Sequence, residues 1–214
     1  IMQTSADEQE EISQGLEAGA YYYLTKPYDK EVMLRIVKAA IDDYKHYISL
    51  EKSITKYSKA MNLLQKGIFY FKTLEEADAL TTIVAQACPE SKKVVVGLSE
   101  LTINAVEHGN LEITYDEKSK FMEKNTLDEE IEKKLNDPKF KDRAVLLEFN
   151  KTKNELSIYI KDEGKGFNWQ EYMDFSAERA FDTHGRGIAM ANKMSFDSLE
   201  YMGNGNEVMA KVKL

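Results

Sequence analysis

The stretch from Glu100 to Asn110, ELTINAVEHGN, constrains this chain more than any other. It follows Val94-Val95-Val96 and carries Leu101, Ile103, Ala105 and Val106, with Leu98 just before it, so a helix here is apolar on nearly every side. Such a helix belongs inside a fold. One stripe breaks the pattern: Glu100, Asn104, Glu107 and His108 stand at i, i+4, i+7 and i+8 and share one side. Polar groups are costly to bury without partners. Two readings remain open, a core helix whose polar groups satisfy one another and a helix that lines a cavity.

Two glycine turns lie downstream, Asp162-Glu163-Gly164-Lys165-Gly166-Phe167 and Thr183-His184-Gly185-Arg186-Gly187. Glycine at these points permits positive φ and close approach of the backbone to a neighbour or a ligand. Gly185 and Gly187 precede a helical pattern, so free N–H groups and the positive helix end form an anion site. Arg186 adds a charged, planar donor fork suited to phosphate.

In this order, E-x-x-x-N and the two glycine turns resemble the N box and the two glycine boxes of the GHKL ATPase superfamily. That superfamily includes gyrase-type ATPases, histidine kinases and anti-sigma factor serine kinases. The chain is most similar to the anti-sigma factor kinases, because that branch has Glu at the start of the N box, as Glu100 is here. The resemblance spans Lys66 to Leu214 and implies an α+β fold, a Bergerat-type sandwich with a mixed, mostly antiparallel sheet and helices on one face.

It also implies ATP and Mg²⁺. Asn104 then matches the Mg²⁺ ligand, an amide oxygen of the hard type the ion prefers. Glu100 orients or deprotonates the nucleophile, His108 positions the loop or a phosphate, and Glu107 is structural. Asp162, at a strand end, accepts the exocyclic amine of adenine. The remaining nucleotide contacts fall on Gly164, Gly166, Phe167, Gly185, Arg186, Gly187 and Ile188. In this branch the nucleophile is a Ser or Thr hydroxyl of a STAS-domain anti-sigma factor antagonist, with the sigma factor itself as a further partner. A nucleotide-gated scaffold without transfer activity, or a histidine kinase-like ATPase, is the alternative.

Residues 1–44 resemble the last third of a response-regulator receiver domain through GLEAGAYYYLTKPY. By position, Thr4 matches the phosphate-sensing hydroxyl, Tyr23 the switch aromatic and Lys26 the phosphate-binding lysine, with Lys26–Pro27 expected to be cis. A receiver's phosphoacceptor aspartate would lie upstream, so the 214 residues are read as a fragment or a truncated copy in which residues 1–44 are a packing appendage, with phosphorylation-dependent control belonging to the full-length protein. Residues 45–65 form a linker helix free of Gly and Pro. Its Tyr47, Leu50, Ile54, Tyr57, Met61 and Leu64 step by 3 and 4, as in a heptad. Homodimerisation through this helix and packing on the ATPase domain are the competing readings. His46 sits here, and the reading is a solvated side chain rather than a phosphoacceptor.

The ATPase-like part, 66–214, starts with a strand at Ile68–Phe71 and a capping box, Thr73 with Glu76. Thr126 with Glu129 predicts a second box inside a charged helical insertion over 111–143, read as a solvated cover on the sheet. Strands follow at Ala144–Asn150 and Glu155–Asp162. A lid-like loop runs from Asn168 to His184, and a helix from Gly187 to Met194. Leu199–Met202 and Glu207–Leu214 then form a hairpin with Val208, Ala210, Val212 and Leu214 turned inward.

Composition narrows the function classes. A hydrophobic content of 43% supplies a core, and a net charge of −8 argues against nucleic acid as a partner. A single cysteine, Cys88, excludes an intramolecular disulfide framework, and no apolar run reaches membrane-spanning length. The expectation is a soluble, cytoplasmic protein.

Overall fold

The computed structural model describes residues 2–4, 23–27, 29–54, 63–174 and 186–214. Two short strands, β1 (Met2–Thr4) and β2 (Tyr23–Thr25), pair in parallel with Thr4 opposite Thr25. The Lys26–Pro27 bond that ends β2 is cis. Helix α1 then runs from Lys30 to Ile54, so one helix crosses the boundary expected at residue 44. Of the heptad positions, Tyr57 and Met61 lie outside the described residues.

The rest is a two-layer α+β sandwich. Strands β3 (Lys66–Phe71), β4 (Val145–Lys151), β5 (Glu155–Lys161), β6 (Ser198–Met202) and β7 (Glu207–Lys213) form one antiparallel sheet in the order β3-β4-β5-β7-β6. Alternation decides which face meets the helices. Leu147 and Phe149, Leu156, Ile158 and Ile160, and Val208, Ala210 and Val212 are buried on the inner face. Leu214 falls past the end of β7, pairs only its N–H with Asn154 O, and is 44% exposed; the inward alternation stops with the ladder.

Helices α2 (Leu74–Ala85) and α3 (Ser91–Asn104) cover that face. The Thr73–Glu76 capping box is present at the start of α2 and satisfies N–H groups the helix cannot. Helix α3 buries Val94, Val95, Leu98, Leu101 and Thr102, and Thr102 Oγ1 meets Thr81 Oγ1 of α2 at 3.0 Å. Helix α1 packs on both, and its His46 Nε2 lies 2.9 Å from Ser99 Oγ. The His46 side chain stays 45% exposed, in keeping with the reading of a solvated histidine, while this contact holds α1 to α3.

The charged segment forms α4 (Tyr115–Lys124) and α5 (Leu127–Asn136). Its two helices are solvated as expected, Ile131 being the one residue they bury, while Leu111, Ile113 and Phe140 on either side of them join the core. The expected cap at Thr126 fails. Helix α4 ends with Asn125 at φ 56 and the Thr126 N–H bonded back to Phe121 O, and this tight junction leaves Thr126 at ψ 10, where no side-chain cap forms. The capping box sits instead at Thr114 with Glu117, ahead of α4.

Candidate nucleotide site

Helix α3 does not end at Asn104; it continues as one wide π-helical turn, Ala105–Asn110. A wide turn takes up an extra residue and rotates the side chains after it around the axis. Consequently Glu100, Asn104 and His108 line a cavity of about 440 Å³, while Glu107 leaves the stripe and is buried at 2% exposure. The rotation, together with a partner that draws the acid sideways, explains why four residues predicted on one face divide three to one. That partner is Lys118 of α4, whose Nζ meets Glu107 Oε2 at 2.5 Å. His108 Nδ1 donates to Ile113 O at 2.5 Å and so ties the turn to the chain leading into α4. Burial holds the His108 imidazole below its ordinary pKa, in the neutral form.

At one end of the cavity stands Glu100. Its carboxylate lies so close to Gly187 that a Cβ there would come within 1.9 Å of Oε2. Burial pushes the Glu100 carboxyl up to about 7; Asp43 of α1 and Glu107 raise it further, while Lys118 and Arg186 pull it back. A carboxyl in that range exchanges protons at neutral pH, as a general base must. Gly187 opens a short helix α6 (Gly187–Met190), extended by a π-helical turn, Ala191–Ser195, and Ile188 also faces the cavity. Arg186 is 7% exposed and lies outside the cavity lining; its charge still acts on Glu100. Gly185 and most of the lid-like span lie outside the described residues.

At the other end stands Asp162, just past β5. Its Oδ1 accepts the Gly164 N–H at 2.8 Å, and burial pushes its carboxyl up to about 6. Gly109 packs against it so closely that a Cβ would sit 2.4 Å from Asp162 Cγ, and a Cβ on Gly164 would sit 2.6 Å from Gly109 O. Gly164 therefore answers a need for space, whereas Gly166 also needs its φ of +75. Asn110 Oδ1 accepts the Glu163 N–H at 2.8 Å, fixing the same loop from the π turn.

The β6–β7 turn locks the loop from above. Phe167 N–H donates to Asn204 O at 2.9 Å, and Asn206 Nδ2 donates to Asp162 O at 3.1 Å. Gly166→Ala would drive a Cβ to 2.0 Å from Asn204 O. With the unfavourable φ, this substitution should destabilise the protein by about 2–4 kcal/mol, a fall of roughly 5–15 °C in Tm. Gly203→Ala, at φ +61 but with no neighbour closer than 3.6 Å, supplies the comparison: strain without a clash, and about 1 kcal/mol. Thermal unfolding of the two variants separates the effects, and equal losses would remove the close approach as the cause.

Beyond Phe167, the aromatic rim has no signature in the sequence. Phe167 meets Tyr201 edge-on at 5.4 Å and Tyr172 at 5.6 Å, while Trp169 stacks on Tyr201 at 6.0 Å. Tyr115, Lys118 and Asn206 also line the cavity, and no motif marks them. Glu112, at the cavity edge, is held well below the usual carboxylate range, at about 2, by Lys139 and Arg143. Thr4, Tyr23 and Lys26 belong to the small parallel pair and its end, not to this cavity.

A cavity of this size suits a nucleotide-sized ligand. A helix-borne amide oxygen at Asn104, a half-buried carboxylate at Asp162 and glycines in close approach make a donor set that fits an adenine nucleotide with its hard cation. Among the described residues, no helix is long and apolar enough to cross a membrane. Comparison with curated proteins and with solved structures yields no match. The family profile for the histidine kinase-like ATPase domain matches residues 73–212, which run from the cap of α2 to the last strand and hold the whole described cavity. The chain belongs to the histidine kinase-like ATPase domain family.

Proposed function

We propose that this member of an ATP-binding family is a Mg²⁺·ATP-dependent protein serine/threonine kinase of the anti-sigma factor type. The observation that carries the reading is the Glu100 carboxylate, one helical turn from Asn104 on the cavity wall and closed in against Gly187. Asn104 Oδ1 would hold Mg²⁺, which when bound neutralises charge on the terminal phosphates. The acceptor hydroxyl attacks the γ-phosphorus as its bond to the ADP oxygen breaks, and Glu100 takes the hydroxyl proton. Asp162 would accept from the adenine amine, with the Gly164–Phe167 loop packed beside it. The acceptor is a Ser or Thr of a STAS-type protein, the sigma factor a further partner, and the setting cytoplasmic.

Control by a receiver domain forms part of the proposal. Its support is the parallel β1–β2 pair followed by helix α1, whose His46 reaches Ser99, the residue before Glu100, and whose Asp43 acts on the Glu100 carboxyl. Thr4, Tyr23 and Lys26 would then be the switch residues, and the chain about 45–65 a surface for homodimerisation.

The test is to incubate the protein with Mg²⁺·ATP, with and without a STAS-domain protein, and to record intact masses. One phosphate gained by the partner, and lost with Asn104→Ala, is the expected result. ATP binding without transfer to either protein would overturn the kinase and favour a nucleotide-gated scaffold. An acid-labile phosphate on His46 would favour a histidine autokinase instead.

A further inference from the structure

Lys118 is the one lysine that the charged segment carries into the cavity wall beside Glu100, Asn104 and His108. It occupies the first turn of α4, whose register the Thr114–Glu117 capping box fixes. Lys120 and Lys124, on the same helix, are exposed to solvent, whereas the Lys118 side chain is 16% exposed and its partner Glu107 only 3%. Burying both members of an ion pair gains little by itself, because lost hydration offsets the attraction. The pair also has a direction. Lys118 lines the cavity and Glu107 does not, so the acid stands behind the lysine that borders the space.

The position along the cavity identifies what the cation would meet. Glu100 and Gly187 close one end, and Asp162 and Gly109 the other, with Gly109 nine residues beyond Glu100 on the same helical run, roughly 13 Å by helical rise. Lys118 is the charge that acts most strongly on the Glu100 carboxyl, whereas Arg143 is the one that acts on Asp162. The cation thus belongs to the Glu100 end, where a nucleotide bound through its base at Asp162 would place its terminal phosphates.

We propose that Lys118, presented by α4 and held in place by Glu107, is a phosphate-binding residue for the terminal phosphates of the nucleotide. The assignment rests on the nucleotide reading of the cavity. It gives the charged segment a role in the site: α4 brings a positive charge that the apolar α3 helix cannot carry on its own face. A Lys in this setting serves as a point charge rather than a bidentate fork, so Arg can replace it in part.

Calorimetric titration of the full chain with Mg²⁺·ATP, Mg²⁺·ADP and adenosine tests this. Lys118→Met alone leaves a buried acid unpaired and can impair folding, so the measured variant is the double change Lys118→Met with Glu107→Gln, which removes both charges. Expected is a loss in ATP affinity of roughly 10- to 100-fold, a smaller loss for ADP and adenosine binding within about twofold of the wild type. Lys118→Arg should recover most of the ATP affinity. Equal losses for ATP and adenosine, or no loss for either, would overturn the assignment while leaving the nucleotide site standing. A wild type that binds neither would overturn the nucleotide reading and this assignment with it.

Discussion

Glu100→Gln is expected to bind Mg²⁺·ATP as the wild type does and to transfer phosphate about 10²- to 10⁴-fold more slowly, the range for losing a positioned general base. The substitution keeps the size and removes only the proton acceptor. A Gln also fits against Gly187, where the Glu100 carboxylate leaves no room for a larger neighbour. Because the Glu100 carboxyl sits at about 7, the wild-type rate should rise with pH through neutrality and level off above it. The variant's residual rate should lack that rise. A matching sign holds for stability. The folded protein binds the Glu100 proton more tightly than the unfolded chain, so the contribution is full below about pH 4.5 and is lost as pH rises through about 7. Glu100→Gln removes this dependence and should be more stable than the wild type at pH 8 by about 1–3 kcal/mol. Single-turnover transfer and urea unfolding at two pH values check both halves. An unaltered transfer rate would remove Glu100 from the chemistry, whatever the unfolding shows.

What the sequence made legible is what local rules decide. The Thr73–Glu76 cap and the alternation in β5 and β7 depend on neighbours within a few residues, and each stands where the pattern placed it. The apolar α3 helix is likewise readable from composition alone. Tertiary partners are what escaped. Nothing near Glu107 in sequence announces that a lysine eleven residues on, in another helix, will turn it out of the polar stripe. The π turn that accompanies this has no residue signature here. Thr126 had the sequence of a cap and lost it to the tight turn that ends α4, whereas Thr114, with the same spacing to Glu117, was free to form one. Tyr201 reads simply as a strand residue until β6 places it against Phe167 and Trp169. The site is thus legible where one helix or one loop builds it, and hidden where the α4 segment and the β6–β7 turn close in from a distance.

Asp162→Asn is expected to weaken adenine nucleotide binding by about 10²-fold while leaving the fold intact. The wild-type carboxylate has two acceptor oxygens, and Oδ1 is already engaged by the Gly164 N–H at 2.8 Å. The adenine amine would therefore use the second. An asparagine offers one oxygen and one NH₂ group, so it can serve the loop or the amine but not both. Whichever donor loses faces another donor in a buried site, a mismatch of about 2–3 kcal/mol. The same logic predicts a pH dependence in the wild type. With its carboxyl pushed up to about 6 by burial, Asp162 gains a proton as pH falls through that value, and nucleotide affinity should fall with it. Asp162→Asn has no such proton to gain, so its weak binding should be flat across the same range. Titrations with adenosine between pH 5 and 8 separate this effect from anything at the phosphate end, since adenosine carries no phosphate. Adenosine binding that ignores both the substitution and the pH would place the base elsewhere in the cavity and would require the nucleotide to be turned around, with its phosphates away from Glu100.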